Sequence, residues 1–142
     1  MTKLTLDQAS TIVDTALATA SQMKLKPMSV AVLDDGGHLI TFKKQDNSSL
    51  LRFDIAYGKA WGALGLGRSS AQIAKLASDL PQFVAAVTAA SGGRIIPVQG
   101  GLLVRAADGT LLGAVGVSGD SAQNDEACAV AGIKGAGLQG EL

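Results

Sequence analysis

Three groups of residues in this 142-residue chain have types and spacings that can do chemistry. The first is the single histidine, His38, which follows the turn Asp34-Asp35-Gly36-Gly37 at the expected start of a strand. Small neighbours leave an imidazole there open to a planar ligand, and neutral imidazole is a common axial ligand for haem iron. A strand-end histidine hydrogen-bonded to its own turn accounts for the same residues. The second group is Arg52 and Lys59, seven apart and so on nearly one side of a helix, with the small Ala56 between them. Two cations so placed can clamp carboxylates, either propionates or a small organic acid; a solvated basic edge is the plainer alternative. Lys59 also sits among Ile55, Ala56, Ala60 and Ala63, an apolar setting that calls for a partner or a perturbed pKa. The third group is Ser118-Gly119-Asp120-Ser121 with Asp125, between a strand and a helix start where free amides favour anions. Helix capping and dipole complementation explain those residues equally well.

Other chemistries are excluded by what the chain lacks. One His and one Cys cannot make a His- or Cys-rich metal site within a single chain, nor an intrachain disulfide. There is no Cys-x-x-Cys-His for covalent haem attachment. Gly65-Leu66-Gly67-Arg68-Ser69-Ser70 begins like a dinucleotide fingerprint but lacks its last glycine and follows a helix, so it reads as a helix C-cap. No Walker sequence or nucleophile elbow occurs. Twelve basic and twelve acidic residues, without basic runs, give no footprint for nucleic acid. Neither a secretory signal nor a membrane span is visible, and a soluble cytoplasmic protein is expected.

The elements that must position these groups are well marked. Thr5 and Gln8 have capping-box spacing ahead of a helix whose apolar face is Ala9, Ile12, Val13, Ala16, Leu17 and Ala20. Pro27 ends it, and Ser29 to Leu33 and His38 to Lys44 read as a hairpin across the Gly-Gly turn. The serines at 48 and 49 are expected to cap a helix from about Leu50 to Leu64. Short helices then start at Ser69 and at Pro81. Strands are expected over Arg94–Val98, Leu102–Arg105 and Thr110–Val117, before a last helix capped by Asp120. Hairpins rather than βαβ units predict one α+β domain over 1–142, with a five-stranded, mainly antiparallel sheet flanked by helices. The 47% hydrophobic content rests on 23 alanines, beside 18 glycines and only five aromatics. Much of that small apolar surface is expected to lie between subunits.

Three ordered segments carry a resemblance. Ser29-Val30-Ala31-Val32-Leu33-Asp34-Asp35-Gly36-Gly37-His38 is similar to the opening hairpin of the GlcG/HbpS-like haem-binding family. Asp54-Ile55-Ala56-Tyr57-Gly58-Lys59-Ala60-Trp61 resembles its central helix. Gly113 to Gly119, continued by Gln123 to Ala127, resembles its last strand and helix start. The chain also resembles the C-terminal module of PduO-type corrinoid adenosyltransferases. The resemblance covers residues 4 to 134 and implies a profilin-like sandwich, haem or tetrapyrrole binding, and dimer-based homo-oligomers, often octamers. It puts His38, Lys59, Ser118 and Asp125 at matching positions. The family's Gly-Gly-x-Pro departs here, with Pro97 two residues further on, and of its Arg-Met-Asp stretch only Asp46 remains.

Three functions follow as expectations. The first is a small-molecule binding protein for non-covalent haem or another tetrapyrrole, with His38 on the iron and Arg52 or Lys59 near the propionates. The second is a small enzyme or accessory protein for a carboxylated catabolic intermediate of the glycolate type. Lys59, Asp125 and Ser118 would be its catalytic candidates, and Ser118, Gly119 and Asp125 its anion site. The third is an oligomeric structural partner without a ligand.

Overall fold

Local chemistry sets most of the elements in the computed structural model, which describes residues 3–142. Helix α1 (Leu6–Gln22) opens on a complete capping box, with Thr5 Oγ1 accepting from the Gln8 amide and Gln8 Oε1 from the Thr5 amide, both at 3.0 Å. Strands β1 (Ser29–Asp34) and β2 (Leu39–Lys44) form the expected hairpin, and Gly37 turns it at φ +83°. Helix α2 (Arg52–Leu66) ends at Gly67 in the left-handed region, the C-cap anticipated for that glycine. Helices α3 (Ser70–Asp79) and α4 (Pro81–Ala90) follow, the second opened by its proline. Strands β3 (Gly101–Arg105) and β4 (Leu111–Ser118), helix α5 (Ala122–Gly135) and strand β5 (Gln139–Glu141) complete the order.

The sheet runs β2-β1-β4-β3-β5, and every pairing is antiparallel. Strand alternation splits the core in two. Val30, Val32, Leu102, Val104, Val115 and Val117 pack with α1 and α5, whereas Leu33, Leu103 and Ala114 pack with Ala60 and Ala63 of α2. The result is an α+β sandwich of helices, sheet and helices.

The small residues serve this packing from within. A Cβ on Gly116 would land on the Ala56 carbonyl oxygen, and one on Gly101 on that of Lys59, so α2 lies backbone-close on β3 and β4. Gly132 lets α5 approach the Ile12 carbonyl of α1 in the same way. Ala9, Ala16, Ala20, Ala56, Ala60 and Ala63 are buried inside the chain, while Ala127 is exposed and Ala131 half-buried. The expectation that this surface lies between subunits is corrected for the buried alanines. The large apolar groups left outside are others, led by Leu50 and Leu51.

Three local expectations also change. Arg94–Val98 is not a strand. Pro97 has no amide to give a ladder, the Ile96 amide bonds to the Gly58 carbonyl, and Ile95 packs over Gly62, so the segment lies across α2. The fifth strand is β5 instead, paired to β3 through Leu103 and Glu141. Asp120 does not cap α5: Ser121 does, accepting from the Asn124 amide at 3.2 Å. At α2 neither serine is the N-cap; Leu51 holds that position and offers no side-chain bond. No helix among the described residues is long and apolar enough to cross a membrane.

Candidate functional site

The candidate residues fall at the two ends of β1. At the hairpin end, the turn bends so that Asp34 Oδ1 accepts from the amides of Gly36 and His38, each at 2.9 Å, and faces His38 Nδ1 at 3.2 Å. Partial burial of Asp34 pushes its pKa up, but the two amide donors and the imidazole outweigh it and hold the carboxyl below its ordinary value. A charged carboxylate only accepts, so Nδ1 carries the hydrogen of this contact, and in the neutral imidazole the lone pair then lies on Nε2. The His38 side chain is 81% exposed, which leaves Nε2 open to a ligand. Helix α2 braces the turn from behind. The Tyr57 hydroxyl donates to the Gly37 carbonyl at 3.5 Å, and Trp61 packs so closely on Gly37 that a Cβ there would sit 2.9 Å from the indole nitrogen.

At the other end, Ser29 of β1 pairs with Ser118 of β4, and α2 brings its cations to this corner. Arg52 Nη1 donates to Ser118 Oγ at 2.9 Å and Nε to Ser49 Oγ at 3.2 Å. Two turns further along the same face of α2, Lys59 Nζ donates to the Val117 carbonyl at 2.8 Å and to Asp125 Oδ2 at 3.0 Å. Asp125 Oδ1 accepts from the Asp120 amide at 2.9 Å. Both charged side chains of the pair are 2% exposed. Burial lowers the Lys59 pKa, Asp125 raises it in part, and nearby Arg52 lowers it again. The apolar setting read from the sequence thus holds both a partner and a shift. Gly119 fits where its missing Cβ would meet the Pro27 carbonyl.

The structure therefore gathers Arg52, Lys59, Ser118, Gly119 and Asp125 into one corner and leaves His38 outside it. Strand β1, six residues long at about 3.3 Å each, separates the two ends. Within one subunit His38 and the Arg52 corner therefore stand at opposite ends of β1. Lys59 is also enclosed, with its charge spent on Asp125 and the β4 backbone.

A cleft of about 180 Å³ opens beside Arg52, lined also by Lys26, Asn47, Ser48, Ser49 and Gly119. A wider open groove of about 590 Å³, lined by Lys24, Lys44, Gln45 and Asp46 among others, adjoins it at Pro27. His38 lines neither. Sequence reasoning had missed Asp34 as the partner of His38, although the four-residue spacing across a turn was a usable signal. It had missed Lys26 and Ser49 as well, which join Arg52 only through the folded corner.

Fold and corner together define an α+β sandwich domain with an exposed histidine at one hairpin tip and a cationic cleft at the far end of the sheet. Solved structures share this fold. A PduOC–haem complex superposes with a TM-score of 0.87 at 20% identity, covering 99% of each chain. Klebsiella pneumoniae protein ORFY gives 0.86 at 25% identity, over 96% of this chain and 92% of that one. HbpS gives 0.80 at 26%, over 94% and 90%. Residues 4–134 match the family model described as haem degrading protein HbpS-like, and the chain belongs to this HbpS-like family. No curated protein matches it.

Proposed function

We propose that this protein binds haem non-covalently, with His38 Nε2 as the iron ligand, in a homo-oligomer whose neighbouring copy covers the porphyrin. The observation that carries this reading is the Asp34–His38 pair. A carboxylate at Nδ1 fixes the tautomer and orientation of a metal-binding imidazole and raises the basicity of the free nitrogen. The residues present fit the iron side of a haem. Membership of the HbpS-like family supports the ligand class, and the fold shared with PduOC, solved as a haem complex, agrees with it. When bound, the haem would supply an iron centre for ligand or redox chemistry; His38 would hold it and Asp34 would orient His38. His38 stands outside both cavities, so a haem held there would need further cover from a neighbouring copy. The exposed apolar Leu39, Leu50 and Leu51 supply surface for a further copy.

Haemin titration tests the reading. The wild type should develop a saturable Soret band, and His38→Ala should lose the band or shift it with weakened affinity. The same band at the same affinity in His38→Ala removes His38 from the iron.

A second reading, an enzyme or accessory protein for a carboxylated substrate, draws on the cleft at Arg52. Its working groups would be Arg52 and Ser118, since Lys59 and Asp125 are engaged with each other beneath the surface.

A further inference from the structure

The far end of the sheet holds a cation, Arg52, that makes no ion pair among the described residues. A guanidinium has five N–H donors, and Arg52 spends two of them on the hydroxyls of Ser49 and Ser118. Those hydroxyls fix its plane without touching its charge. Among the described residues no carboxylate lies within ion-pair distance of Arg52 or of Lys26, the second cation on the cleft. The acids close by bond elsewhere or stand beyond ion-pair distance: Asp54 lies in the first turn of α2, and Asp120 keeps its charge and attracts Lys26 from a distance. Asp120 accepts from the amides of Lys26 and Ser121 and from Asn124 Nδ2, while Asp125 is paired to Lys59. Asp46 lies in the neighbouring groove, where Lys24 and Lys44 accompany it.

A second feature lies at the same corner. Ser29 Oγ is fully buried and has no hydrogen-bond partner. By strand alternation with Val30, which packs toward α1 and α5, Ser29 stands on the α2 side of β1, directly across from Ser118. A buried hydroxyl left unpaired costs free energy, and Ser29 stands behind the cleft wall rather than in its lining. The first turn of α2 begins at the same corner with no side-chain cap, and Asp54 in that turn complements its positive end.

We propose that the Arg52 cleft is a carboxylate-binding site, separate from His38, in which the guanidinium takes both oxygens of one carboxylate and Lys26 adds charge at the rim. The proposal deepens the second reading above, and its free-acid arm stands independently of haem binding. Planar bidentate pairing is what a guanidinium offers a carboxylate and an ammonium does not. The open cleft, about 180 Å³, is of the size that takes an acid of a few carbons. The carboxylate has two possible sources: a free small organic acid, or a propionate of a haem held by another copy of the chain.

The test is a binding series on the full chain, without haemin and then with it. Acetate, lactate and succinate are titrated at constant ionic strength, with chloride and inorganic phosphate as probes of unspecific anion binding. Wild type, Arg52→Gln and Lys26→Ala are compared by calorimetry and thermal shift, with circular dichroism to establish that each variant is folded. Saturable binding of an acid that weakens at least about tenfold in Arg52→Gln, and less in Lys26→Ala, supports the site with a free acid as occupant. No binding of free acids, but haemin affinity reduced about tenfold in folded Arg52→Gln, supports the site with a propionate as occupant. Equal responses to chloride, phosphate and the acids, or acid and haemin binding unchanged in Arg52→Gln, overturn it. Should Arg52→Gln not fold, Lys26→Ala and Ser49→Ala decide, because neither side chain is buried in the core.

Discussion

Lys59 Nζ lies 3.0 Å from Asp125 Oδ2, sixty-six residues apart in the chain, and both side chains are closed off from solvent. The pair ties α2 to the end of β4 and the first turn of α5, and so fixes the corner that carries Arg52. Removing one partner strands a buried charge, which typically costs about 3–5 kcal/mol. Lys59→Met should therefore lose about that much stability in urea titration. Lys59→Met with Asp125→Leu, which removes both charges, should recover most of it. A single variant within about 1 kcal/mol of wild type would show that the pair is no strut.

Asp34 acts on the iron site only through His38. Asp34→Asn keeps the shape of the turn but weakens the acceptor at Nδ1. Losing such a partner commonly lowers metal affinity about 10- to 100-fold. Haemin affinity should fall by that order, with thermal stability less affected. The reduction potential of the bound iron should also move, which a purely structural role would not produce. Unchanged affinity and potential would leave Asp34 as a turn former only.

Asp120 makes the acid limb of stability testable. Bonds from Asn124 and from the Lys26 and Ser121 amides pull its pKa from the ordinary 3.8 down to about 2. Between those values the unfolded chain binds more protons than the folded one, so stability rises with pH through the window. It is fully present above the ordinary value and is lost as pH falls toward the folded one. Asp34 and Asp108, both also lowered, add to the same slope. Thermal melts of Asp120→Asn between pH 4 and pH 2 should fall less steeply than those of the wild type. Parallel curves would contradict the assignment.

The local parts of this molecule were open to sequence reasoning because their causes are local. The Thr5–Gln8 capping box, the α1 face, the Gly37 hairpin and the Gly67 stop each follow from residues within a turn or two of one another. Arg52 and Lys59 sharing a helix side is likewise a matter of periodicity. The failures have long-range causes. Arg94–Val98 has strand-like residues, yet glycines 58 and 62 of α2 give its chain a surface to lie on. Strand β5 has almost no strand chemistry in Gln139-Gly140-Glu141 and exists because β3 offers a free edge. The alanine surplus looked like surface between subunits until Gly101 and Gly116 showed how closely α2 lies on the sheet. No spacing rule could tell that β1 would hold His38 and Arg52 at opposite ends.

The bond between His38 and iron is the centre of this account, and resonance Raman spectroscopy of the ferrous haem complex observes it directly. The account predicts an iron–imidazole stretching band in the wild type that is absent in His38→Ala and regained when free imidazole is added to that variant. A complex whose iron–ligand band is the same in wild type and His38→Ala would contradict it.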